Sequence, residues 1–133
     1  MRTTRSRRIV AAATALVVLA AVLADEALTP TPFHHARSAA ALVLMAVLAV
    51  LVLGFVPRVP SGGAALGAGV AAGGALAMLV SAVVWQQGVP DPLVGGDYAF
   101  NLADVALALG DAMFLAAVLV FAWHNRRNLR QAI

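Results

Sequence analysis

The chain has no cysteine and no lysine, and only 11% of its 133 residues are charged. Without cysteine there are no disulfides, no thiolate metal sites and no thiol nucleophile. Nor can the protein itself be a lipoprotein, since no residue is available to carry the lipid. The scarcity of charge excludes a water-soluble domain. Hydrophobic residues make up 62% of the chain and the mean hydropathy is +0.92, whereas about half or less is usual in soluble proteins. Aromatics are also few, at 6%, and Trp85, Tyr98 and Trp123 stand at the edges of apolar runs, where membrane interfaces collect them. An integral membrane protein follows from composition alone.

The charge that is present is unevenly placed. Arg2, Arg5, Arg7 and Arg8 precede the first apolar run, and Arg126, Arg127 and Arg130 follow the last. A pI of 11.1 would suggest nucleic acid in a soluble chain. Arginines gathered at the chain ends are instead a topology signal, and no nucleic-acid partner is expected. Four apolar runs cover about residues 9–28, 36–56, 64–85 and 101–123, each near the 20 or so residues that cross a bilayer. The expected fold is a single all-α membrane domain over residues 1–133, with four transmembrane helices and both termini cytoplasmic. That orientation places every arginine inside except Arg37, and it opens the loops 25–37 and 86–100 on the outer face. The first run also fits a secretory signal peptide cut before Asp25. The need for an even number of crossings favours an uncleaved anchor. In the third run, Gly63/Gly67 and Gly69/Gly73 have the four-residue spacing that lets helices approach closely, or are incidental in an alanine-rich chain.

Polar residues at the ends of these runs carry the chemistry. Asn101, Asp104, Ala108 and Asp111 fall at i, i+3, i+7 and i+10, one helical stripe that should face protein or a wet cavity. A carboxylate at Asp104, where the membrane interior begins, is expensive and functional by default. Asn101 is better suited to cap the helix. Asp111, roughly 10 Å deeper, is expected to pair with Ser81 or with backbone of the third span, or to hold a proton. Asp91 reads either as a solvated turn residue between Pro90 and Pro92 or as a partner of Asp104. Two carboxylates a few ångströms apart share a proton and activate a water against an amide, the aspartic-protease arrangement. Asp97, in Gly-Gly-Asp, fits a turn. His34 and His35 read as a metal site or as a polar interfacial pair. They have no third ligand at usable spacing, so neither metal nor cofactor is expected. Arg37 is placed to reach lipid headgroups.

Phe100-Asn101-Leu102-Ala103-Asp104 followed by Gly110 resembles the F-N-x-A-D-x-x-x-x-x-G box that opens the last helix of signal peptidase II, the bacterial lipoprotein signal peptidases. Val94 to Ala99 resembles the segment that precedes that box, and Gly73-Gly-Ala-Leu76 the start of the third-helix motif G-G-A-x-G-N-x-x-D-R. Gly88-Val-Pro-Asp91 is similar to G-x-V-x-D, one residue short, and Asp25 sits where the family has a D-x-x-T-K-like sequence. Where the third-helix motif has Asn, Asp and Arg, this chain has Met78, Ser81 and Ala82. The first outer segment, which in the family contains an N-x-G box and a small β-structure, is reduced here to 25–37. The resemblance implies a four-helix aspartic endopeptidase of the bacterial cytoplasmic membrane. Asp91 and Asp104 would be its catalytic residues and Asn101 a supporting polar residue. Asp25 is read as structural, and so is Asp111, which has no counterpart in the family. The implied substrate is a lipid-modified prolipoprotein, cut just before its diacylglyceryl-cysteine. The alternative is a non-catalytic protein of the same fold that binds a lipoprotein or another membrane partner. A proton-coupled transporter using Asp104 and Asp111 would be a third class, but the chain lacks the internal repeat many transporters show.

The arginine distribution generates a first prediction. A reporter fused after Ile133 is expected to be active in its cytoplasmic form only, and activity confined to the outer side would reverse the orientation.

Overall fold

A computed structural model describes residues 3–131. Four helices dominate it: α1 (Thr4–Leu28), α2 (Ala39–Phe55), α3 (Gly62–Val84) and α4 (Leu102–His124), followed by a short α5 (Arg126–Gln131). Each of the first four starts at a residue whose side chain accepts a backbone N–H of the first turn. Those residues are Thr3, Ser38, Ser61 and Asn101, the residue types that satisfy donors a helix leaves open. Proline marks the breaks. Pro30 and Pro32 follow α1, and a 3-10 turn over Val56–Arg58 ends α2. Helices α1, α3 and α4 are long and apolar enough to cross a membrane, while α2 is a shorter apolar helix of 17 residues. The helix limits lie within a few residues of the expected spans, apart from α1, which begins five residues earlier.

Helix α3 is the centre of the bundle, and α1, α2 and α4 all pack on it. Its buried residues are almost entirely alanine and glycine, from Ala64 to Ala77, with Met78 and Ser81 beyond. The large side chains point the other way. Leu16, Val17, Leu44, Val50, Leu115 and Leu119 are all exposed. Small residues inside and large apolar residues outside invert the order of a water-soluble core, and they suit helices that meet in lipid, where close van der Waals packing replaces the hydrophobic effect. The glycines show how close the approach is. A Cβ on Gly69 would stand 2.6 Å from the Ala11 carbonyl oxygen of α1, and one on Gly73 2.7 Å from that of Ala15. On the opposite side, Gly67 and Gly74 meet the α4 backbone at Phe114 and Ala103, and Gly110 of α4 meets that of Ala71. The expected Gly69/Gly73 pair thus faces α1. In the Gly63/Gly67 pair only Gly67 is tight, because Gly63 has ordinary contact with Ala117.

The α4 face that packs on α3 is Ala103, Ala106 and Gly110, not the polar stripe. Asn101 is buried and Asp104 and Asp111 are half-buried, but Ala108 is exposed, so the stripe is interrupted. The small residues decide the rotation of α4, since only they admit the α3 backbone.

The helices alternate in direction, so the start of α1, the end of α2, the start of α3 and the end of α4 share one end. Arg5, Arg7, Arg8, Arg58, Arg126 and Arg127 belong to that end. Arg58 stacks on Phe55 and Arg126 on Trp123, with 4.7 and 4.4 Å from guanidinium carbon to ring centre. Arg2 and Ile133, on which the placement of the termini leans, lie outside the described residues.

The opposite end carries the two connecting loops, and there the fold departs from purely helical. Strand β1 (His34–His35) pairs antiparallel with β2 (Val89–Pro90), tying the α1–α2 loop to the α3–α4 loop. Strands β3 (Leu93–Gly95) and β4 (Tyr98–Phe100) form a hairpin whose two-residue turn is Gly96-Asp97. Gly96 takes its first corner at φ 61°, as a tight hairpin turn requires, and Asp97 occupies the turn position expected of it.

Packing by glycine sets a two-way prediction. Gly110→Ala forces the α3 and α4 backbones apart, because the new methyl would lie 2.2 Å from Ala71 N. It should cost about 1–3 kcal/mol. Gly54→Ala has open space around the new methyl and should stabilise α2 by about 0.5–1 kcal/mol. Unfolding midpoints in one detergent compare the two.

A candidate active site at the loop end of the bundle

The first turn of α4 sets one wall of the site. Asn101 Oδ1 accepts the Asp104 N–H at 2.9 Å, and Asp104 Oδ2 accepts the Asn101 N–H at 3.3 Å, a reciprocal capping box. This leaves Asp104 Oδ1 free to accept a bond from the Arg37 guanidinium at 2.8 Å. Arg37 therefore turns inward onto Asp104, where the sequence suggested a headgroup contact. The half-buried carboxylate offers a charge-assisted bond, which is stronger than one between neutral groups. Asn101 is completely buried, so it caps the helix from behind Asp104 and does not itself line the cleft.

Asp91 forms the other wall. It is only 2% exposed, which rules out the solvated turn between two prolines. Its N–H donates to the Phe33 carbonyl at 2.9 Å and its own carbonyl accepts from the Thr31 hydroxyl at 3.2 Å. These bonds continue the β1–β2 pairing by one residue and fix the Asp91 backbone against the α1–α2 loop. Asp91 Oδ2 pairs with His35 Nδ1. His35 is thus not an isolated interfacial residue, since its ring meets a carboxylate from the other loop. Between the walls lies an open cleft of about 490 Å³, lined by Phe33, His34, His35, Arg37, Asp91 and Asp104 among others. The two acids expected to work together do line one cavity, each with a basic partner from the α1–α2 loop.

Asp25 and Asp111 do not line that cleft. Asp25 accepts the Thr29 hydroxyl at 3.3 Å at the end of α1. Asp111 is half-buried on α4, and Ser81 is engaged elsewhere. The partner of Ser81 is Glu26, an acid that sequence reasoning passed over. Ser81 Oγ donates to Glu26 Oε2 at 2.5 Å, Trp85 Nε1 donates to the same oxygen at 3.2 Å, and Glu26 is 3% exposed. The signal was present in the spacing. Ala11, Ala15, Val22 and Glu26 form one α1 stripe, all buried, and Asp25 falls beside it. Met78, in the polar motif's place, is buried with Val22, Val89 and Ala103, so the floor beneath the site is apolar here.

No protein-family model, curated protein or solved structure matches the chain.

The Glu26 contact predicts a stability effect separate from chemistry. Ser81→Ala removes a donor from a buried carboxylate and should lower stability by about 1–3 kcal/mol. Ser81→Thr, which retains the hydroxyl, should recover most of it, and a detergent unfolding series reads both.

Proposed function

We propose that the protein is a signal peptidase II-like aspartic endopeptidase of the bacterial cytoplasmic membrane, which removes signal peptides from lipid-modified prolipoproteins. The observation that carries this reading is that Asp91 and Asp104, thirteen residues apart and on different elements, line one open cleft at the loop end of an apolar bundle. The box Phe100 to Asp104 with Gly110 supports it from sequence: Asn101 and Asp104 form the capping box, and Gly110 is where α4 meets α3.

In this reading all four helices cross the bilayer with both ends of the chain in the cytoplasm. Helix α2 reaches about 26 Å over 17 residues, and the turn Val56–Arg58 extends it toward the hydrocarbon thickness of about 30 Å. The cleft then opens at the outer surface. A substrate anchored by its own apolar helix and lipid presents its scissile amide at that depth. Water enters the open cleft, and the acid–base groups on its walls assist attack on the carbonyl carbon and departure of the amine. Asp25 and Asp111 act through stability rather than chemistry.

A second reading has an observation of its own. Both carboxylates are paired, Asp91 with His35 and Asp104 with Arg37, and the polar third-helix positions are Met78, Ser81 and Ala82. A non-catalytic protein of the same design would bind a lipoprotein through this cleft without cutting it.

Turnover separates the two. With a lipid-modified prolipoprotein in liposomes, the unaltered protein should release the signal peptide. Asp91→Asn and Asp104→Asn should each lower the rate by about a hundredfold or more while leaving membrane insertion intact. Asp97→Asn, at a hairpin corner, should change little. Substrate binding without release by the unaltered protein would establish the non-catalytic alternative.

A further inference from the structure

We infer that His35 is the group that takes the proton from the attacking water, and that Asp91 acts through it as a positioning residue. This rests on the peptidase reading and reassigns one wall of its site.

The geometry assigns the two ring nitrogens different tasks. Nδ1 is engaged by the carboxylate of Asp91, which is 2% exposed. The His35 side chain is 34% exposed and lines the cleft, so Nε2 is the nitrogen left to meet a ligand. A carboxylate on Nδ1 holds the neutral ring in the tautomer that carries its proton there. Nε2 is then the basic atom. Once Nε2 has taken a proton, the same carboxylate lies against the imidazolium and stabilises it, the division of labour seen wherever an acid orients a catalytic histidine.

The backbone around the pair is fixed on both sides. His35 is registered against Val89 in the β1–β2 pairing, and the Asp91 N–H is bonded to Phe33. Gly88, at φ 102°, lies so close that a Cβ there would stand 2.7 Å from the His35 carbonyl. This bracing restricts ring placement, as a general base requires. The groups around His35 are Asp91 from the α3–α4 loop, Arg37 and His34 from its own loop, and Asp104 from α4. Asp104 is held by Arg37, which leaves Asp91 as the carboxylate bonded to the ring.

The step balances without any co-reactant. His35 Nε2 accepts a proton from water as the water oxygen bonds to the amide carbon. The proton then passes from His35 to the leaving nitrogen as the C–N bond breaks, giving a carboxylic acid and an amine. Asp104, on the facing wall, orients the water.

The test uses the full chain in liposomes with a lipid-modified prolipoprotein peptide. His35→Gln should lower kcat/KM by about a hundredfold to ten-thousandfold. Added imidazole should restore part of the rate to His35→Gly, which a merely structural role for the ring would not produce. Rescue of His35→Gly by imidazole decides the matter where His35→Gln folds poorly. Cleavage by His35→Gln at the unaltered rate, or a His35→Gly rate that imidazole leaves unchanged, overturns the inference and leaves the peptidase reading standing. No cleavage by the unaltered protein at any pH defeats both.

Discussion

Everything at the loop end depends on how closely the helices meet in the middle. Helix α3 presents alanine and glycine to its neighbours over most of its length, and at Gly69, Gly73, Gly74 and Gly110 the next atom is the partner's backbone or the root of its side chain. In lipid there is no gain from merely hiding apolar surface, so association draws on dispersion between closely spaced atoms. Such a contact has little tolerance. Side chains at a loose interface can change rotamer to absorb a shift, but backbone against backbone cannot. The packing therefore fixes the angle and height of α1 and α4 relative to α3, and with them the positions from which the loops depart.

The polar end inherits that rigidity and adds its own. The loop after α1 and the loop after α3 are joined by the short β1–β2 pairing, and Arg37 joins the first loop to α4. Four of the five acids at this end have a defined neighbour: Asp25 has Thr29, Glu26 has Ser81 and Trp85, Asp91 has His35, and Asp104 has Arg37 and Asn101. The fifth, Asp97, is exposed at the hairpin corner. Polar groups near a bilayer are costly when unpaired, and this arrangement leaves the less exposed carboxylates partnered while keeping an open cleft between two of them.

Much of this was legible before any coordinates. Hydropathy located the helices to within a few residues at most of their ends because membrane thickness leaves little freedom in length. The cap at Asn101 followed from residue type, and the spacing of Gly69 and Gly73 admitted, without requiring, the tight approach they make. The pairings were not legible. Nothing within the α1–α2 loop says that His35 meets Asp91 or that Arg37 turns onto Asp104, because those contacts depend on two loops meeting after the bundle has formed. Glu26 differs, because its position is local: the periodicity of α1 places Glu26, and not its neighbour Asp25, on the inward face. The rotation of α4 obeys the small residues Ala103, Ala106 and Gly110 and not the polar stripe, because only they admit the α3 backbone.

The pairings span long stretches of chain, with Asp91 56 positions after His35 and Asp104 67 after Arg37. During synthesis the first partner of each pair emerges and waits through the whole of α2 and α3. Because domains fold as their later segments become available, neither wall of the cleft can close until the third helix is seated, and the second wall needs the start of α4. A chain stalled or truncated before that point carries His34, His35 and Arg37 but neither Asp91 nor Asp104. Translation as far as the start of α4 thus becomes a precondition for the cleft, and a half-made copy lacks both of its carboxylates by construction.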